Sequence, residues 1–231
     1  MVLSIATRRS VEKAPVLLLS CVLGLCAGSA WAVDTFRETF EEDAAGWLGG
    51  DRGALVHHAV GGVDGSGYVS FETEAFNSGT GGFGDPLKLM FRGNESADAS
   101  GGAFVGDWLK GGIESFRVTV RHDHAAPLNL FVRLAGSFGA GASLANASRY
   151  SIPPNAWKTI TIRIEDADPP FVSYGTSRFT GVFSRIKTIQ IGFYLPEKAD
   201  FSALRMDVDE VAIVAAPTPS SAPVAIEKAA N

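Results

Sequence analysis

Phe104 to Ala135 reads FVGDWLKGGIESFRVTVRHDHAAPLNLFVRLA and contains two consecutive runs of period two. In the first, Phe116, Val118 and Val120 alternate with Arg117, Thr119 and Arg121; in the second, Leu128, Leu130, Val132 and Leu134 alternate with Asn129, Phe131 and Arg133. Side chains in a strand point alternately to opposite faces, so each run is a strand with one apolar face and one mostly wet face. The link from His122 to Pro127 is short and places a proline where the second run begins, which predicts an antiparallel pair. Further strands on either side are expected to cover it.

Towards the N-terminus, Thr35 to Glu41 alternates and is rich in aromatic and β-branched residues, a first strand ending in the turn Glu42 to Gly46, after which Trp47 is expected to plug the core. Ala54 to Val60 is a weak strand, and Tyr68 to Thr73 a clear one. Asn77 to Asp85 is a glycine-rich loop without the Lys-Ser/Thr and following helix of a phosphate cradle. Leu87 to Phe91 fits a short buried strand, while Asn94-Glu95-Ser96 and Asn146-Ala147-Ser148 read as loop residues rather than glycosylation sites.

Towards the C-terminus, Ser148 to Ile152 and Trp157 to Ile164 are strands, and Glu165 to Tyr174 reads as a polar loop. Phe179, Val182, Phe183 and Ile186 fall at helical spacing and predict one or two helical turns. Ile189 to Leu195 returns to period two. In the last strand Leu204, Met206 and Val208 have one parity and Val211 and Ile213 the other, so a bulge at Asp209-Glu210 is needed to keep the apolar face inward. Many short strands with Gly/Pro turns and almost no helix predict an all-β antiparallel jelly-roll β-sandwich with one short helical turn, over residues 33–214. The Ala/Pro/Ser-rich stretch 215–231 has little to bury and is expected to be disordered.

Residues 1–32 read as a signal peptide. Arg8, Arg9 and Lys13 precede the apolar run Val16 to Leu25, and Ala30-Trp31-Ala32 supplies the cleavage site. Thr7 to Lys13 looks like a twin-arginine signal without its usual apolar pair, and Leu18 to Cys21 looks like a lipobox with few apolar residues before it; ordinary cleavage is the expectation. The location is then secreted or periplasmic, with no membrane insertion after the signal is removed. Cys21 and Cys26 are the chain's two cysteines, so the mature protein has no disulfide, thiolate metal site or thiol nucleophile. Removing three basic residues and one acidic residue takes the net charge from -5 to -7. An acidic surface argues against nucleic acid and anionic membranes and suits neutral glycans or cations.

Several stretches carry a family resemblance. Phe40-Glu41 followed by Gly46-Trp47 resembles the opening of galactose-binding-like jelly-rolls, which include many carbohydrate-binding modules, and Val208-Asp209-Glu210-Val211 resembles the acidic pair of their final strand. Phe104-Val105-Gly106-Asp107-Trp108 with Gly112-Ile113 is similar to the central motif of laminin-IV-type (laminin B-like) domains and their bacterial secreted relatives, and this is the nearest likeness. Trp157 to Thr161 and Phe183 to Ile186 are placed as in those relatives. The resemblance implies a structural calcium held by Glu41 and Asp209, positions at which the laminin-type relatives are less regular. The plainer alternative makes Glu41 a solvated turn acid and Asp209 a partner for the bulge backbone.

Other chemistry is thinly supported. His122-Asp123-His124 could ligate zinc with His57 or His58, but a hairpin tip accounts for it as well. Asp207 and Asp209 share parity, as in some glycosidase signatures, yet Val211 and Ile213 occupy the continuation. No G-x-S-x-G is present. Sugar binding needs accessible aromatics with polar neighbours, and the candidates are Phe131 and Tyr194 on the polar faces of their strands and Trp108, Phe138, Phe171 and Tyr174 in or near loops; Trp47 and Trp157 are assigned to the core. The expectation is a non-enzymatic binding module for a glycan or another cell-surface component. The alternative is a structural envelope or matrix protein that meets protein partners through the face around Phe131 and Tyr194, and a glycoside hydrolase ranks last.

Overall fold

The computed structural model describes residues 35–49, 53–73, 87–91, 99–136, 141–166, 170–174, 178–194 and 203–216. The stretches read as a signal peptide (1–32) and as a glycine-rich loop (77–85), the sequon at Asn94 and the tail beyond Ala216 lie outside the described residues. The described strands are β1 (Phe36–Glu38), β2 (Leu48–Gly49), β3 (Val56–His58), β4 (Tyr68–Thr73), β5 (Leu87–Phe91), β6 (Ile113–His122), β7 (Leu128–Ala135), β8 (Gly141–Leu144), β9 (Ser151–Ile152), β10 (Lys158–Arg163), β11 (Phe171–Tyr174), β12 (Thr188–Tyr194) and β13 (Leu204–Ala215), with one short helix, α1 (Phe179–Phe183).

Two antiparallel sheets face each other in a jelly-roll β-sandwich. The first runs β10-β6-β13-β4-β3, with β1 also on β13; the second runs β11-β8-β7-β12-β5-β2, with β9 on β7. The hairpin expected between the two opening runs does not form. β6 pairs with β10 and β13, whereas β7 pairs with β8, β9 and β12. Asp123 to Pro127 therefore crosses between sheets, and the corner is tied by Arg205 N donating to Asp123 Oδ1 at 2.8 Å. The physical reason lies in the two dry faces. Paired in one sheet they would need a further layer to cover them; in opposing sheets Phe116, Val118 and Val120 meet Leu128, Leu130, Val132 and Leu134 in one core.

One end of the sandwich is filled by aromatics from the segment before β6. Phe104 meets Phe36 edge-on at 5.2 Å and Trp47 at 5.8 Å. Trp108 stacks on Phe116 at 6.3 Å and donates its indole N–H to the Phe104 carbonyl at 2.9 Å. A two-way bridge between Gly106 and Ile186 pins this plug to the turn after α1. Within 165–174, read as a polar loop, β11 forms instead because Phe171 has a core position against Phe183, 5.7 Å away. The strand expected over 148–152 shrinks to β9, because residues 147–150 take a 3-10 turn.

The bulge in β13 occurs where the parity change required it. Val208 pairs with Val120 and Glu210 with Thr119, so Asp209 is the extra residue. On the opposite edge of β13, β4 pairs as far as Val208 and β1 begins at Val211. Asp209 consequently sits at a gap between two strands that share one edge. The last strand runs on to Ala215, and Ala216 N bonds to Gly112 O at 2.9 Å.

Candidate functional site

Strand pairing assembles a band on the outer face of the second sheet that no single segment could show. β7 and β12 set Asn129 opposite Tyr194, Phe131 opposite Gly192 and Arg133 opposite Gln190. β8 sets Ser143 beside Arg133, and β11 sets Tyr174 opposite Gly141. These positions alternate with buried Leu130, Val132, Ile189, Ile191 and Phe193, so they face outward. Arg133 is held in place. Its Nε donates to the Tyr174 hydroxyl, Nη1 reaches Gln190 Oε1 at 3.4 Å, and its guanidinium lies 5.0 Å from the Tyr174 ring centre. A Cβ at residue 141 would overlap the Tyr174 ring, so glycine is what lets that ring lie across β8.

Tyr194 and Tyr174 are thus brought to one face, both half-buried. Burial raises the Tyr194 pKa above its usual value, so the phenol stays neutral and can donate a hydrogen bond. Of the other aromatic candidates, Phe138 lies outside the described residues, Phe171 is buried in the core, and Phe131 and Trp108 are corrected. Phe131 does face this side but is only 3 % exposed, packed edge-on to Tyr194 at 5.4 Å and opposite the bare backbone of Gly192; it supports the Tyr194 ring from below rather than offering its own. Trp108 is fully buried in the end plug, because a large ring at the mouth of a sandwich gains more by closing it than by meeting solvent. Arg133 and Gln190 were not singled out from sequence. Their outward parity was visible, but their meeting depends on β7 lying beside β12.

Glu41 and Asp209 are brought together around the turn 62–67. Asp209 Oδ2 accepts Val63 N–H at 2.6 Å and the Ser66 hydroxyl at 3.0 Å, and Glu41 Oε2 accepts Gly67 N–H at 3.2 Å. Gly62 is required by close approach, since a Cβ there would lie 2.8 Å from Asp209 Oδ2. The Asp209 pKa is raised, mainly by burial and further by the charges of Glu210 and Glu41, while the Val63 and Ser66 hydrogen bonds hold it down. Among the described residues no group of three or more His, Cys, Asp or Glu side chains gathers at one point. A cation here would rest on these two carboxylates, each of which keeps one oxygen that no described donor takes, together with backbone carbonyls and water. The donor set fits a hard cation, and it fits equally a turn stitched by its own amides.

The outer face of the first sheet is a network of paired charges. Asp207 is buried and receives Arg121 Nε and Nη2 on Oδ2, each at 2.7 Å. Arg205 Nε is 3.3 Å from Oδ1, at ion-pair range but out of hydrogen-bond alignment. Glu210 takes Arg37 and Arg117 at 2.7 and 2.6 Å. Asp207 and Asp209 therefore serve different partners and do not flank a common space as a hydrolase pair would. Trp157, assigned to the core by its sequence, lies half-exposed on this face with Arg121 4.3 Å from its ring centre and Tyr68 edge-on at 5.5 Å. The histidines also separate. His122 bonds to Ile152 O, His57 to Phe40 O and His58 to Ser70 Oγ, and the His122 and His124 rings are 6.4 Å apart, so no zinc site assembles from them.

No protein-family model matches the sequence, and no curated protein matches it. Solved structures show similar strand arrangements. An exo-beta-agarase is 12% identical over 80% of this chain, with a TM-score of 0.49, and this chain spans 25% of it. The family 11 carbohydrate-binding module of the cellulosomal cellulase Lic26A-Cel5E of Clostridium thermocellum is 14% identical, with 80% of this chain and 97% of the module covered and a TM-score of 0.44. The CBM22-1–GH10 modules of a Clostridium thermocellum endo-1,4-beta-D-xylanase, complexed with xylohexaose, are 15% identical over 82% of this chain and 30% of theirs, with a TM-score of 0.44. None of these reaches 0.5, and the β-sandwich assignment stands on the strand pairing described above.

Proposed function

We propose that the chain is a secreted, non-catalytic carbohydrate-binding module whose ligand lies across the outer face of the second sheet. The observation that supports this most directly is the band of Tyr174, Arg133, Gln190 and Tyr194 on the shared outer face of β11, β7 and β12. Sugars present apolar C–H faces and a rim of hydroxyls. Aromatic rings meet the first, and fixed amide and guanidinium groups meet the second. Arg133 is already oriented by Tyr174 and Gln190, so little side-chain freedom is lost on binding. Asp207 and Glu210 on the opposite sheet are committed to arginines, which supports a binding role over hydrolysis. Glu41 and Asp209 would hold a structural calcium at the 62–67 turn, tying the start of the sandwich to its last strand.

The test is thermal melting and calorimetric titration of the protein against neutral oligosaccharides from mixed-linkage β-glucan, xylan and agarose. One of them should raise the melting temperature by binding the native state, and Tyr194→Ala should fold normally while weakening that ligand about tenfold, a loss of about 1.4 kcal/mol. If no neutral glycan binds, or if binding survives both Tyr194→Ala and Tyr174→Ala unchanged, the proposal fails.

A further inference from the structure

A second place for a ligand lies at the side of the sandwich, where β10 ends one sheet and β11 the other. A cavity of about 120 Å³ is lined there by Asn146, Arg149, Tyr150, Thr161, Arg163 and Glu165. Thr161 and Arg163 are outward positions of β10, and the 3-10 turn before β9 supplies Arg149 and Tyr150.

Its polar groups are unevenly satisfied. Arg163 pairs with Glu165 at 3.2 Å. Arg149 has no ion-pair partner, and the Asn146, Tyr150 and Thr161 side chains make no hydrogen bond, among the described residues. The lining thus carries two guanidinium groups against one carboxylate, a local positive balance in a chain of net charge -5. A single water needs about 10–15 Å³ of such space, so the cavity holds on the order of ten water-sized groups, the bulk of one pyranose ring.

We propose that this cavity is a subsite for one acidic sugar residue, a hexuronate, separate from the band on the second sheet. Guanidinium groups match a carboxylate's planar pair of oxygens, and Arg149 is the one left free to do so. Glu165 decides the class of anion. It can only accept, so it repels a bare anion and welcomes hydroxyl donors, and a ligand that satisfies both sides is a carboxylate carrying neighbouring hydroxyls. Asn146, Tyr150 and Thr161 supply the remaining donors and acceptors around a sugar ring.

The experiment is titration of the full chain with digalacturonate and diglucuronate, with galactobiose as the neutral counterpart, a sulfated disaccharide as the second anionic source, and sodium sulfate as the bare anion. A uronate should bind, more weakly as salt rises, and Arg149→Gln should lower its affinity about tenfold or more without moving the melting temperature, because a charge-assisted hydrogen bond is lost from an exposed side chain. Thr161→Val should weaken the uronate as well. Tyr194→Ala should leave uronate binding unchanged, which separates this site from the ligand band. The proposal is overturned if neither uronate binds at millimolar concentration, if the sulfated disaccharide or sulfate binds as tightly as the uronates, or if Tyr194→Ala rather than Arg149→Gln removes binding.

Discussion

Asp209→Ala removes the acceptor that gathers the 62–67 turn to the bulge. Two donors lose their partner, Val63 N–H and the Ser66 hydroxyl. Hydrogen bonds to a charged acceptor contribute about 1.5–3 kcal/mol each. Burial and the neighbouring charges of Glu210 and Glu41 work against the carboxylate, as its raised pKa records, so the pair together should sit near the low end, about 2–3 kcal/mol. For a domain of this size one kcal/mol moves the melting temperature by about 2–4 °C, and the expected fall is about 4–12 °C. Asp209→Asn keeps one acceptor oxygen and should lose less. Calcium adds a second, separable quantity. A cation at a hundred times its Kd stabilises by about 2.7 kcal/mol, a further rise of about 5–11 °C in the wild type. The assay is therefore a set of melts of wild type and Asp209→Ala, each in calcium and in EDTA. Wild type should fall on adding EDTA, and the variant should melt below wild type even in EDTA and ignore calcium. Equal melting of the two proteins in EDTA would refute the turn argument. A wild type indifferent to EDTA would remove calcium and leave the turn standing.

Trp108→Ala should destabilise by about 3–5 kcal/mol, seen as a lower urea midpoint, because the indole closes the end of the core and bonds to Phe104 O; a variant of normal stability that fails only to bind glycan would return Trp108 to the ligand. His122 carries the pH dependence. It is buried with Nδ1 unpartnered, and burial, then the charge of His124, lowers its pKa from 6.5 against opposing contributions from Ile152 O and Asp123. The unfolded chain then binds a proton that the native state resists, so stability should fall as pH drops below about 6.5, down to the depressed folded value, and be unaffected by this group above it. His122→Gln should flatten that slope in urea titrations between pH 7 and 5; an unchanged slope would assign it elsewhere. Asp209 acts in the opposite sense at lower pH, since a raised carboxyl pKa makes folding take up a proton just above 3.8.

Parts of the site were legible because they depend on one strand alone. The bulge at Asp209 follows from a parity change between Val208 and Val211 within a single segment. Tyr194 faces outward because Ile189, Ile191 and Phe193 face in. Phe131 shows the limit of that logic. Parity put it on the outer face correctly, and only its neighbours, Tyr194 and Gly192, reveal that the ring is covered there. Trp108 and Trp157 exchanged places relative to expectation because ring burial outside a regular strand is set by which end or face of the sandwich the segment reaches.

Alternation in β6, β7, β10, β12 and β13 was enough to determine a β protein and the inward residues of those strands, and the helical spacing of Phe179, Val182 and Phe183 determined the turn at α1. Sheet membership was not determined. Period two states which way a side chain points from its own strand and says nothing about which strand lies beside it, so a hairpin between β6 and β7 and a crossover between sheets fit the same letters. The tertiary structure chose the crossover because opposing dry faces cover one another. That choice set β12 beside β7, bringing Gln190 to Arg133 and Tyr194 to Phe131, and left β10 and β11 as the edges between which the cavity opens.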